Sequence, residues 1–247
     1  LSLISDASPQ QKSFRDLFVE ALDAYRSATD DNESWETYWN AIESVSTYGQ
    51  DAFDVASRFA QTQDPVRHHV AVDAMARIAF HHEDLRAPIA QIVLGCVGKI
   101  PELGFVLSAV NALGQTRSRQ AVPFLLECLD SQHLDLRISA AIALGECADT
   151  SSEALSALTK ASTDSNDQVR RWATYAIASN GRLIDTDTTN LLAARLFDQD
   201  DDVRNEAIFG LGLREDERAI APLKQLVEVS DSLRPDLKEL AARMDLL

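Results

Sequence analysis

Along most of this chain, apolar and small residues return every three or four positions, in runs separated by short polar stretches rich in Asp, Ser and Gln. That spacing is the mark of amphipathic helices, and no strand-like alternation persists anywhere. The spacing predicts helices near 118–130, 152–163, 187–198 and 217–229, each followed closely by another, near 134–148, 167–180, 202–213 and 233–245. Upstream, 50–62 with 65–82 and 85–98 with 102–114 continue the series, and 9–29 with 34–48 opens it. The chain is therefore expected to be all-α and built from helix pairs.

The second helices are copies of one another. DLRISAAIALGE from Asp135, QVRRWATYAIAS from Gln168 and DVRNEAIFGLGL from Asp202 align without gaps. Each places Arg (Arg137, Arg170, Arg204), then Ala three residues on (Ala140, Ala173, Ala207), a small residue at plus six (Ala143, Ala176, Gly210), and Leu144, Ile177 or Leu211 at plus seven. Val106, Ala109, Ala112 and Leu113 keep the frame, DPVRHHVAVDAM fits with a one-residue slip, and LRPDLKELAARM is a degraded last copy. Pro88, Pro123 and Pro222 stand at the fronts of first helices, where a missing N–H costs little.

This D-x-V-R-x-x-A-x-x-A-L-G pattern, with its A-x-P-L-like starts, resembles HEAT repeats of the short bacterial type first associated with phycobilin lyases. The resemblance covers about residues 50–245. It implies a right-handed α-solenoid of about seven antiparallel helix pairs, with second helices lining a concave face. The whole of 1–247 is then one solenoid domain: an irregular, aromatic cap over 1–49, repeats over 50–232 and a cap helix over 233–247.

Charge and composition narrow the partner. The net charge is −16, which opposes nucleic-acid backbones and anionic lipid surfaces and favours a basic protein. Cys96, Cys128 and Cys147 lie in apolar helical runs, as reduced thiols in a reducing, cytoplasmic setting would. No apolar run approaches the roughly 20 residues that span a bilayer. The N-terminus lacks a starting Met and the charged and apolar segments of a secretion signal, so a trimmed cytoplasmic protein, monomeric when free, is expected.

The turns within successive pairs read TQDP, LDSQHLD, TDSNDQ, FDQDDD and VSDS. In a solenoid equivalent turns share one edge, so Asp64, Asp130, Asp135, Asp164, Asp167, Asp198, Asp200 and Asp201 should form an acidic ridge, unless they are only a solvated edge. Arg137, Arg170 and Arg204, recurring in register, are expected to form a structural ladder with aspartates of their own or the neighbouring turn, Asp135, Asp167 and Asp202 among them, rather than an anion-binding row. Those three aspartates are also the expected helix caps, which leaves Asp198, Asp200 and Asp201 as surplus charge for a partner.

Metal chemistry finds little support. Asp198, Asp200 and Asp202 have a calcium loop's opening spacing, but Val203 and Phe209 stand where it needs Gly and Glu. The single His82-Glu83 dipeptide falls short of the several that HEAT-like deoxyhypusine hydroxylases use for two irons, and no zinc spacing joins His and Cys. HEAT-like DNA glycosylases depend on a basic groove that this charge contradicts. There is no nucleophile elbow, Walker loop or dinucleotide fingerprint. A non-enzymatic protein without cofactor or metal is expected.

Positions plus one and plus five of each second helix lie about 180–220° from the small core positions, at about 100° per residue. They hold Ile138 and Ile142, Arg171 and Tyr175, Asn205 and Phe209, with Trp172 and Glu206 flanking them. An Ile142–Tyr175–Phe209 column with Arg171, Trp172 and Asn205 is a partner surface if exposed, and inter-helix packing if not. Trp35, Tyr38 and Trp39 share a helical face with Ile42 and are expected in the core of the cap. The C-terminal half, through WATYAI and DVRNEAIFGLGLREDERAI, also resembles small bacterial HEAT-repeat proteins encoded beside Rhs-type toxins, some of them thought to be immunity proteins. Protein binding is the function these features imply, as toxin neutralisation or as assembly scaffolding, with a phycobilin lyase-like chromophore chaperone as the alternative.

Overall fold

A computed structural model describes residues 13–28, 32–147, 151–180, 185–229 and 233–246. Residues 9–12 of the expected opening helix and 230–232 of the expected last turn lie outside the described residues. Among those described there are fourteen α-helices and no strand. The contacts gather them into two units, Leu1–Thr116 and Arg117–Leu247, where the sequence reads as one continuous domain.

The first unit pairs α1 (Phe14–Ser27) with α2 (Asn32–Ser46), α3 (Gln50–Phe59) with α4 (Pro65–His81), and α5 (Arg86–Cys96) with α6 (Leu103–Thr116). Its second helices α2, α4 and α6 lie side by side. The middle one, α4, has eleven buried residues, His68–Ala76, Ile78 and Ala79, on almost every side. A helix apolar around most of its circumference belongs inside.

The second unit repeats the plan with α7 (Val122–Leu129) and α8 (Leu134–Cys147), α9 (Ser152–Ala161) and α10 (Asp167–Ser179), α11 (Thr186–Arg195) and α12 (Asp201–Leu213), and α13 (Ile220–Val229) and α14 (Pro235–Arg243). Its second helices approach closely because the repeated small residues face one another. A methyl group placed on Gly210 would stand 2.6 Å from Ala178 Cβ and 2.8 Å from Ala178 Cα on α10. Leu144, Ile177 and Leu211 behind them are fully buried.

Local chemistry sets the helix starts. Ser13 and Asp16 close a capping box on α1, Asp64 accepts from the Val66 N–H ahead of Pro65, and Ser151 and Asp185 cap α9 and α11. The proline-bearing helices α5, α7 and α13 begin differently. A 3-10 turn (Glu83–Leu85, Arg119–Ala121, Glu217–Ala219) leads into each, and the proline follows within the first turn of the α-helix. The sequence pattern blends turn and helix into one run.

The expected caps on α10 and α12 need correction. Asn166, not Asp167, accepts from the Gln168 and Val169 N–H groups, and Asp200, not Asp202, accepts from that of Val203. Both helices start one residue after their cap, so Asp167 and Asp202 lie inside the first turn. Asp135 is likewise inside α8, which starts at Leu134.

Candidate binding surface

The arginine ladder is made from two kinds of bond. Arg137, Arg170 and Arg204 each turn one guanidinium nitrogen onto two carbonyls of the turn before their own helix: Ser131 and Gln132, Asp164 and Ser165, Asp198 and Gln199, at 2.7–3.4 Å. The other side of the guanidinium reaches an aspartate. Arg137 lies 3.6 Å from Asp164. Arg170 Nε and Nη2 donate to the two Asp198 oxygens at 3.0 and 2.8 Å. Arg204 pairs locally with Asp201. The acids that tie Arg137 and Arg170 to the next pair are therefore Asp164 and Asp198, and not Asp135, Asp167 and Asp202; Asp202 joins successive pairs through Arg171 instead.

This thins the acidic ridge. Asp198, expected as surplus edge charge, has a side chain only 6% exposed and is also held by Arg195 at 3.4 Å. Burial alone would raise its pKa; the hydrogen bonds from Arg170 and the Asp200 N–H, with the charges of Arg170 and Arg195, outweigh this and hold it below the usual carboxylate range. Asp200 is occupied as a cap, Asp164 by Arg137, and Asp130 by Lys160 at 3.4 Å. In the first unit Asp64 is shared by Arg26 and Arg67. Asp201 and Asp130, with 82% and 76% of their side chains exposed, and Asp135 remain outward-facing.

The face of the second helices is more concentrated. Ile142 on α8 and Tyr175 on α10 are both 40% exposed. Tyr175 meets Trp172 edge-on, with ring centroids 5.8 Å apart at 86°. The Arg171 guanidinium lies 5.6 Å from the Trp172 ring and is fixed by Asp202 at 2.8 Å and Glu206 at 3.6 Å on α12. Side chains so held lose little freedom on meeting a partner.

Glu206 is the hub of this arrangement, and its helical phase gave no hint of it. It is 2% exposed and accepts from both terminal nitrogens of Arg234, at 2.6 and 3.0 Å. Arg234 in turn donates to Asp236 and covers the Phe209 ring at 5.9 Å. Hydrogen bonds to Glu206 and then Asp236 push the Arg234 pKa above its ordinary value. Phe209 leaves the expected contact column: it packs on the buried cluster of Ile208, Leu223, Leu237 and Leu240 beneath this guanidinium. Asn205 lines a separate cleft of about 460 Å³ with Ile208, Pro222, Leu226 and Val229. The surface that is left is Ile142, Arg171, Trp172 and Tyr175.

In the first unit the aromatic cap divides. Tyr38 and Ile42 are fully buried, while Trp35 and Trp39 are 37% and 43% exposed. The Tyr38 hydroxyl donates to buried Asp73 at 2.5 Å. Burial raises the Asp73 pKa against the Tyr38 and Ser108 hydrogen bonds and the His69 charge, and burial with the Glu102 and Asp73 charges pushes Tyr25 up to about 12. His81 contacts Glu43, and His82 Nε2 donates to the Ser46 carbonyl oxygen, both at 3.0 Å. Among the described residues no three His, Cys, Asp or Glu side chains gather as around a metal ion, and no helix is long and apolar enough to cross a membrane. All three cysteines are buried thiols; burial raises Cys96 and takes Cys128 to about 11.

Stacked antiparallel pairs with in-register arginines and small residues define a repeat protein of the α-solenoid class. The family of HEAT repeats matches residues 107–178 and 163–243, more than half of the chain, and the protein belongs to that family. No curated protein matches it. Among solved structures, YibA of Escherichia coli is similar with a TM-score of 0.59 at 19% identity, over 96% of this chain and 88% of its own. The CpcE–CpcF complex of the phycocyanin lyase from Nostoc sp. PCC7120 gives 0.52 at 16% identity, over 100% and 99%. A designed armadillo repeat protein in complex with the peptide (KR)4 gives 0.50 at 16%, over 78% and 98%. At these identities the likeness is one of fold, and this fold is typical of protein-interaction scaffolds.

Proposed function

We propose that this protein is a non-catalytic binding module whose partner is a basic protein, held on the second-helix face of residues 117–247. One observation carries the reading: Tyr175 and Trp172 form an edge-on aromatic pair at the surface, braced from behind by Arg171 on Asp202 and Glu206. Aromatic and arginine side chains pre-set in this way are the usual anchors of protein interfaces. The net charge of −16 favours a basic partner and would speed its approach, and the designed armadillo protein's complex with (KR)4 is a precedent in the same fold for a cationic ligand.

Neutralisation of a basic toxin is the specific form of this activity that we favour, in keeping with the resemblance of the C-terminal half to HEAT-repeat proteins of Rhs-type loci. Purification from the native cell followed by mass spectrometry tests it. The expected result is one stoichiometric basic protein, retained by wild type and lost with Trp172→Ala/Tyr175→Ala. Recovery of several unrelated proteins would mark a scaffold instead, and retention by the double variant would sink the proposed surface. A bilin-handling role draws on the CpcE–CpcF likeness; no absorbance change on adding a bilin would dismiss it.

A further inference from the structure

We infer that α2 carries a second contact surface, one that takes the cationic side chains of an extended Lys/Arg-rich segment of a protein partner. It lies in the first unit, shares no residue with the Tyr175 face, and stands or falls separately from it.

The helix reads NESWETYWNAIESVS: three glutamates, two tryptophans and no lysine or arginine. Tyr38, Ile42 and Val45 on its inner side are fully buried. Trp35 and Trp39, one turn apart, remain 37% and 43% exposed, an unusual position for two large apolar side chains. Neither ring is loose. Trp35 meets Tyr38 at 5.7 Å and 86° and Tyr25 at 5.8 Å and 88°, and Trp39 meets Tyr38 at 5.0 Å and 69°. The shared support, Tyr38, is itself pinned by its hydroxyl on Asp73. The indoles are thus fixed platforms at the surface.

The charges around them choose the ligand. Glu36 lies between the two tryptophans in sequence and is exposed. Glu43 follows Trp39 by one turn, where Arg77 and His81 of α4 hold its carboxylate at 3.2 and 3.0 Å. An apolar segment laid over the indoles would strip water from Glu36 without replacing it. Nucleic acid or an anionic lipid surface would meet like charge. A lysine or arginine suits both elements: its stem covers an indole, its cation faces the ring, and a carboxylate is at hand. The spacing also selects an extended chain. Four residues of helix separate the indoles by about 6 Å along the axis, close to the roughly 6.7 Å between alternate side chains of a strand. Cations at every second position of an extended segment therefore fall in step with Trp35 and Trp39.

Fluorescence anisotropy with a labelled (Arg-Ser)4 peptide tests this, against (Gly-Ser)4. Wild type should bind the first saturably and not the second. Trp35→Ala/Trp39→Ala, with helical circular dichroism unchanged, should weaken binding at least tenfold. Glu36→Lys should do the same, and decides the matter if the double variant does not fold. Glu127→Lys on α7, an equal change of net charge at another exposed site, should bind like wild type. The inference is overturned if wild type fails to bind, if the folded tryptophan double variant binds like wild type, or if Glu127→Lys weakens binding as much as Glu36→Lys, since attraction would then be to the overall charge.

Discussion

Both oxygens of Glu206 accept from Arg234, at 2.6 and 3.0 Å, so the middle of α12 is tied to the residue that starts α14. The same carboxylate lies 3.6 Å from Arg171 on α10. Three successive second helices therefore meet at one buried anion. Removing its charge would leave Arg171 with Asp202 alone and Arg234 with Asp236 alone, around a buried site that has lost its anion. Glu206→Gln is expected to cost about 3 kcal/mol, the scale for breaking a buried pair from one side, read as a lower urea midpoint at an unchanged slope. Arg234→Lys keeps the charge but loses the fork geometry, and should fall between wild type and Glu206→Gln.

Asp198 gives a pH signature. Its pKa is lower in the folded protein than in the unfolded chain, so its stabilisation is complete above the usual carboxylate value and disappears as pH falls through the lowered one. Asp198→Asn should therefore lose stability at pH 7, and its deficit against wild type should shrink below about pH 4. Urea unfolding at pH 7, 4 and 3 measures it. A deficit independent of pH would mean that the side chain acts by shape alone.

Asp73 works in the opposite direction. Burial raises its pKa, so the fold favours the neutral acid and loses stability as pH climbs from the usual carboxylate value towards the raised one. Asp73→Asn is expected to flatten that decline in thermal melts between pH 4 and 8. Tyr38→Phe should instead destabilise by about 1–3 kcal/mol, because it removes one of the two hydroxyl donors to a buried carboxyl.

Gly210→Ala tests the close approach of α10 and α12. Alanine gains up to about 1 kcal/mol in helix propensity. The new methyl would meet the Ala178 backbone at 2.8 Å, which cannot swing away as a side-chain tip can. Overpacking costs about 1–3 kcal/mol, so net destabilisation is expected, with a lower melting temperature as the readout.

The helix pairs were legible because one period runs through the chain: Ala at plus three, a small residue at plus six and Leu or Ile at plus seven place each second helix without outside help. The run at 198–202 was not. Any of its four aspartates could cap, and the choice of Asp200 depends on where the helix begins, which periodicity fixes only within a residue or two. Asp198 read as surplus because its main partner, Arg170, lies 28 residues earlier. A signal did exist, since Asp164 and Asp198 are spaced like Arg170 and Arg204. Phe209 and Tyr175 share one register position, yet Tyr175 is exposed and Phe209 only partly so, because Arg234, from the degraded last copy, covers it. Trp35 and Trp39 followed Tyr38 and Ile42 into the expected core because helical phase groups residues on a face without saying how deeply that face is set.

The ladder also bears on how such a chain can change its length. Each joint links an arginine of one pair to the aspartate-bearing turn of the next: Arg137 to Asp164, then Arg170 to Asp198. The two halves of a joint are thus carried by neighbouring units in the same form every time. A second copy of residues 134–166 inserted after Asn166 would bring its own arginine and its own aspartate, and every joint would find its complement. Growth or shrinkage by whole units would leave the bonding grammar intact, while a cut at any other interval would strand a buried charge.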